Sequence, residues 1–304
     1  YGKKDIESRV TAGLFNPGDN YLWVEMKTET FGWIAFVFDP FQQEEVQIQH
    51  IFKKYKLLDI WVSLDRESDR DKNGRPASGY RDPIKTKHLD IEANLTGISL
   101  TNYSPWGSKD TETATFSTTV SFVPTSWGNR HRMLDFRLNS KARVHGVTDE
   151  KGEPLRFIRS KTKQTLGSRK STRYDSSLRI LLDKPLVTGE ERKITVDYDM
   201  DITNFVSGNS WYPSLYDFAS ANTVRLTTRV RKNMEIMAVG KRVNETVEGG
   251  MKETVWHMDT PAKIYGFTLG KHFDKESIKL DGVPEVISFG TERRFATGNM
   301  VRNV

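Results

Sequence analysis

The sequence predicts an all-β protein, and three observations carry that prediction. Apolar and polar residues alternate with the period of a strand, as where Val224, Leu226, Thr228 and Val230 face one way and Thr223, Arg225, Thr227 and Arg229 the other. Turn signals built on Gly, Pro, Asn and Asp recur at roughly the 8–12-residue spacing of a sandwich or barrel. No stretch of about ten residues or more carries a helical stripe. One wet face per strand is the pattern of antiparallel sheets, here expected as sandwich or saddle-like layers preceded by a small extra β-rich domain. No repeat of fixed period is present, which argues against a propeller or solenoid.

The elements follow in order. Residues 1–64 read as a small β-rich domain of unknown role. Tyr21, Trp23, Glu25 and Lys27 alternate with Leu22, Val24, Met26 and Thr28. A turn at Glu29-Thr30 leads into the apolar run Phe31 to Phe38, which Asp39-Pro40 ends because proline donates nothing to a ladder. Glu44 to Tyr55 fits either a strand pair or a short helix, and Leu57 to Leu64 reads as a strand. Residues 65–83 form a linker dense in both charges, with Asn73-Gly74 and two prolines.

A larger β domain is expected over residues 84–285. Its inward faces are Leu89, Ile91, Ala93 and Leu95, then Ala114, Phe116, Thr118, Val120 and Phe122, then Leu134, Phe136 and Leu138. Strands at Leu155–Ile158, Leu178–Leu182 and Ile194–Tyr198 follow, separated by turns at Glu150–Glu153 and Thr188–Glu190. Past the stretch from Trp211 to Gly240 come Val255 to Met258, then Tyr265, Phe267 and Leu269, ending at Gly270. Residues 286–304 read as the start of a linker to a further domain.

Bulk properties bound the function. The 304 residues suffice for a real core, and 11% aromatic content beside a low 36% hydrophobic fraction argues against disorder. The net charge is +6, with both signs interspersed rather than gathered, so nucleic acid is not an expected partner. No run approaches the roughly 18 apolar residues of a membrane span. Absence of cysteine excludes disulfides, thiolate metal sites and cysteine nucleophiles. The chain begins at Tyr1, as a fragment or processed product would.

Catalytic motifs are absent. There is no H-E-x-x-H, no nucleophile elbow, no Walker loop and no G-x-G-x-x-G. The six histidines (His50, His88, His131, His145, His257, His272) lack ligand spacing. Asp197, Asp199 and Asp201 share one strand face, which suits either a cation such as calcium or a solvated face balanced by Arg and Lys. The basic loop Lys161 to Arg173 lacks the interleaved aromatics of a single-strand binder. Trp106 and Trp127, each before a glycine, suit either a stacking platform for a carbohydrate or protein ligand or a buried corner. Sequons stand at Asn94, Asn102 and Asn244.

One ordered set of features goes further. HLDIEANL (His88 to Leu95) is followed by LRILLDKPLVTGEERKITVDY (Leu178 to Tyr198), then by Trp211-Tyr212-Pro213, Asp217 and Ala238-Val239-Gly240. Trp256, Pro261, Tyr265, Phe267, Gly270 and Phe273 close the series. From about His88 to Leu280 this order resembles the N-terminal β domain of M1-family zinc aminopeptidases, the gluzincin group that includes leukotriene A4 hydrolase. The family's F-P-C-x-D-E-P is replaced here by Trp-Tyr-Pro-Ser-Leu-Tyr-Asp, as in a divergent bacterial-type member. No confident counterpart of the family's upstream site glutamine is found around Asn204 to Asn209.

The resemblance implies a non-catalytic domain of a zinc metallopeptidase. The zinc, the G-x-M-E-N motif and the H-E-x-x-H motif would belong to a following catalytic domain, on which this one packs. Trp211, Tyr212 and Asp217 map to the edge that walls the cleft for a peptide's N-terminal end. The other reading of Trp211 and Tyr212 is a sandwich plug with the indole bonded to a nearby carbonyl. Extra β domains in bacterial members lean toward an exported, periplasmic or extracellular location. The alternative is a stand-alone β-sandwich binding module for carbohydrate or protein.

Overall fold

The protein is described from a computed structural model. It covers residues 21–40, 44–52, 57–67, 70, 72–74, 83–98, 112–125, 131–159, 163–165, 172–174, 176–202, 205–206, 211–215, 222–271, 274–278 and 286–290. Most of the linker, both Trp106 and Trp127, Asn102, most of the basic loop, and Asp217 lie outside these residues.

The first unit is a four-stranded antiparallel meander of β1 (Leu22–Thr28), β2 (Gly32–Phe38), β3 (Glu44–Phe52) and β4 (Leu57–Asp65). The ambiguous stretch from Glu44 is therefore a strand. Thr28 shapes the first hairpin: its hydroxyl donates to the Gly32 carbonyl at 3.1 Å and accepts the Phe31 amide at 3.0 Å.

The remaining strands begin with β5 (Ile84–Asn94), β6 (Glu112–Pro124), β7 (Met133–Arg137), β8 (Arg143–Asp149) and β9 (Arg156–Arg159). Two short strands, β10 (Lys163–Thr165) and β11 (Thr172–Tyr174), pair with each other. Then come β12 (Ser177–Leu181), β13 (Arg192–Ile202), β14 (Phe205–Val206), β15 (Asn222–Arg231) and β16 (Glu235–Ala238). The last are β17 (Lys241–Glu248), β18 (Met251–Ala262), β19 (Phe267–Gly270), β20 (Asp274–Ile278) and β21 (Val286–Gly290). No α-helix occurs among the described residues.

Seven of these strands form the main sheet, in the order β17-β18-β15-β5-β6-β13-β8. All its pairs are antiparallel except β5 with β15, which run parallel at the centre. The three-stranded sheets β7-β12-β9 and β14-β19-β16 contribute side chains to the same core. The alternations read for β5, β6, β7, β13, β15 and β19 are realised, whereas on β18 the neighbours Val255 and Trp256 are both buried and β1 has no buried face. Leu89, Ile91 and Ala93 of β5, Phe116, Val120 and Phe122 of β6, and Ile194, Val196 and Tyr198 of β13 are all buried. So are Leu134 and Phe136 of β7, Leu178 and Ile180 of β12, and Phe267 and Leu269 of β19. Burial of this apolar surface, at about 25 cal/mol per Å2, is the main force holding the layers together.

Thr228 and the part-buried Arg159 show how polar groups in and beside this core are held. Thr228 is wholly buried and donates to the Thr254 carbonyl at 3.3 Å. Arg159 gathers the carbonyls of Ser176 (3.0 Å), Ser177 (3.1 Å), Leu138 (3.1 Å) and Asn139, closing the end of the β7-β12-β9 sheet. A planar guanidinium fork suits several carbonyls at once.

Candidate functional site

The corner Trp211-Tyr212-Pro213 is buried, with Trp211 at 2% and Tyr212 at 1% exposure. Its backbone is held from two sides. Ser214 exchanges amide–carbonyl bonds with Arg137 of β7 at 2.7 and 3.0 Å, while the Tyr198 hydroxyl of β13 donates to the Trp211 carbonyl at 2.9 Å. Since that uses the only proton of Tyr198, the Thr118 hydroxyl at 3.1 Å must be the donor to it. The Trp211 indole N–H in turn donates to the Tyr265 carbonyl at 3.1 Å.

Rings fill the space between these bonds. Trp211 lies edge-on to Tyr212 (5.1 Å) and Phe267 (5.4 Å), and tilted against Phe116 (6.0 Å), which stacks on Tyr198 (5.3 Å). Tyr212 meets Tyr265 at 5.8 Å, and the Tyr265 hydroxyl sits between the carbonyls of Asn222 and Ala262. Burial pushes the Tyr198 and Tyr212 phenols well above their ordinary value, and that of Tyr265 upward as well. The side chains of Trp211 and Tyr212 thus act as a plug between layers. The third residue of the predicted edge, Asp217, is outside the described residues.

The opposite, wet face of the main sheet carries the acid row. Ser117 donates to Asp197 at 2.7 Å and Thr113 to Asp201 at 2.9 Å. Asp199 is flanked by His145 Nε2 at 2.7 Å and Arg143 Nε at 2.5 Å, and the same guanidinium lies 3.8 Å from Asp201. Of the two uses open to these aspartates, the structure shows the balanced face. Pairing to β6 on one side and β8 on the other gives each acid its own partner.

Between these residues and β15 lies a shallow depression of about 330 Å3, lined by Glu92, Asn94, Phe116, Ser117, Asp197 and Thr227 among others. It exists because the outward residues of β6 from Thr113 to Thr119 are all short (Thr113, Thr115, Ser117, Thr119), while Arg225 and Arg229 of β15 stand tall beside them. Those arginines pair with Asp90 (3.3 Å) and Glu253 (2.8 Å). The row of Ser and Thr at every second position was the sequence signal for this trough.

A third cluster joins β5, β15 and β18. His88 Nδ1 is 2.7 Å from the Thr223 hydroxyl and its ring stands 6.4 Å from that of His257, which lies 3.3 Å from Asp259. Burial lowers the His88 pKa, against the nearby Asp90 carboxylate, which raises it. Among the described residues, no three of His, Cys, Asp or Glu are placed to share a metal ion. The described residues therefore do not fit a zinc centre, and no chemical step through a metal follows from them.

Of the two described sequons, Asn94 is exposed at the end of β5, its side-chain oxygen accepting from the amide (3.2 Å) and hydroxyl (2.8 Å) of Thr96. Asn244 stands exposed on β17. No described helix is long and apolar enough to cross a membrane.

No family model matches the sequence, and no curated protein matches it. Solved structures do. An M1 zinc metallopeptidase from Deinococcus radiodurans aligns at 12% identity and a TM-score of 0.50, over 73% of this chain and 52% of that one. A mutant of that enzyme bound to a Tyr-Ser-Ala substrate gives the same identity and score over 72% and 52%. A two-domain M1 zinc metallopeptidase mutant bound to L-tryptophan aligns over 75% and 54%, again at 12% and 0.50. What is shared is the fold, and this chain spans about half the length of those it matches.

Proposed function

We propose that this chain is the non-catalytic β portion of an M1-like zinc metallopeptidase, packing on a zinc-bearing domain and walling one side of its peptide cleft. The observation that carries the reading is the partial overlap: about three quarters of this chain aligns with half of each M1 structure, and no H-E-x-x-H occurs in its 304 residues. The ordered motifs from His88 to Phe273 support it independently, since they are a property of the sequence. Zinc belongs, in this reading, to residues beyond these 304.

In this reading Trp211, Tyr212 and Asp217 belong to the cleft wall, with Asp217 supplying a carboxylate for the amine of a peptide. The test has two parts. The gene downstream of Val304 is expected to encode H-E-x-x-H within a few hundred codons, and its absence there would sink the proposal. The isolated chain, with or without added zinc, is expected to release no amino acid from aminoacyl anilides. Turnover by the isolated chain would contradict the assignment.

A further inference from the structure

The sheet β1–β4 is patterned inside out. Its covered face carries Ala35, Val37, Gln47 and Gln49, all under 5% exposed, and the two glutamines bond to each other at 2.5 Å. The open face consists of three transverse rows set by the register: Leu22-Phe38-Val46-Leu64, Val24-Phe36-Ile48-Val62 and Met26-Ile34-His50-Asp59. Ten of these twelve residues are apolar, and both polar ones sit in the last row. Leu22, Met26 and Leu64 are 47%, 44% and 48% exposed.

This is a contiguous patch and not the scatter every protein surface shows. Of the fifteen large apolar side chains exposed among the described residues, nine lie between Leu22 and Leu64, and all of these but Ile60 belong to this face or its aromatic end. At the end bearing His50, Phe31, Phe52 and Trp61 form an aromatic group, with His50 4.1 Å from Phe52 and 5.2 Å from Trp61. Neither Ala35 nor Val37 belongs to the core of the main sheet, so that core does not complete this unit. A single open apolar sheet needs a second layer.

We infer that the second layer is the same face of another copy of this chain, the two sheets stacked across a two-fold axis. The face suits itself: its two upper rows are wholly apolar, and His50 and Asp59 at one end can remain at the rim of such a pair. A bilayer suits it less. The rows of the open face hold one acid, Asp59, and no lysine or arginine to meet anionic headgroups. Four strands about 4.8 Å apart and seven residues of about 3.4 Å give a face of roughly 450 Å2, so two hide about 900 Å2 in flat projection. That lies near the roughly 1,200 Å2 lower bound of stable interfaces, and the dimer is accordingly weak and reversible.

Sedimentation equilibrium of the 304-residue chain over a range of concentrations tests this. A monomer–dimer equilibrium is expected, weakened by more than about tenfold by Val24→Lys or Val62→Lys. Val247→Lys, on the equally exposed strand β17, should leave it unchanged. The chain has no cysteine, so Ile48→Cys, at the centre of the face, is expected to give a covalent dimer with a short bismaleimide even if the lysine variants fold poorly. A monomer at every concentration, a dimer indifferent to both lysines, or an Ile48→Cys chain that never crosslinks overturns the inference. So does a monomer that binds phosphatidylglycerol vesicles through this face.

Discussion

Tyr198 on β13 donates its hydroxyl proton to the backbone carbonyl of Trp211, 2.9 Å away and thirteen residues later in the chain. That bond fastens the main sheet to a corner which Ser214 fastens to β7, so one short segment bridges both layers. Removing the hydroxyl with Tyr198→Phe strands the Trp211 carbonyl and the Thr118 hydroxyl in the core. The expected cost is about 1–3 kcal/mol, read as a lower urea midpoint with unchanged slope.

Truncating the plug should cost more. Trp211→Ala removes an indole that is 2% exposed, touches three aromatic rings and donates to the Tyr265 carbonyl. A loss of about 3–5 kcal/mol is expected from thermal or urea unfolding. A loss below that of Tyr198→Phe would show that the indole does not fill the core.

Gly240 and Gly250 separate space from backbone strain. Both have positive φ, +105° and +80°. A Cβ at Gly240 would stand 2.6 Å from the His257 carbonyl oxygen and 3.0 Å from its carbon, whereas one at Gly250 would meet nothing within 4 Å. Gly250→Ala should cost only the left-handed penalty of about 1–2 kcal/mol. Gly240→Ala should cost clearly more, because the clash is with backbone of the paired strand β18. Amide exchange in β17 and β18 should accelerate along with the loss of stability.

Alkaline titration should expose the buried phenols. Tyr198 and Tyr212 have folded-state pKa values raised above the unfolded value near 10. Their contribution to stability is complete below about pH 10 and is lost as pH rises toward the folded values, by about 1.4 kcal/mol per pH unit for each tyrosine. Phenolate absorbance from these two residues is expected to appear together with unfolding, at a pH above that of exposed tyrosines. Absorbance that appears first, with the fold intact, would contradict the burial.

The acid row should ignore calcium. Each aspartate already has a Ser, Thr, His or Arg partner, and millimolar calcium or a chelator is expected to leave the melting temperature unchanged. Asp199→Asn weakens the ion pair to Arg143 and the contact to His145, both of whose side chains are more than half exposed, and a shift within a degree or two is expected.

Facing was legible in the sequence because it is a local property. Side chains alternate along any strand, so Leu89, Ile91 and Ala93, or Val224, Leu226 and Val230, announce a buried face without knowledge of their neighbours. β8 and β17 lack that signal. All eight residues of β17 are exposed, and β8 interrupts its apolar positions with Arg143, His145 and Gly146.

Adjacency needed the tertiary structure. Asp90 and Arg225, 135 residues apart, meet because β5 lies parallel to β15, a pairing no local pattern encodes. Registers set across such separations also decided that Asp197, Asp199 and Asp201 find separate partners instead of a shared cation. The same holds for Trp211 and Tyr212: their aromatic character was plain in the chain, but which way a corner turns depends on what packs over it. Burial beneath Phe116, Phe267 and Tyr265 is a property of three distant segments brought together, and hydrophobic burial is settled only when those segments meet.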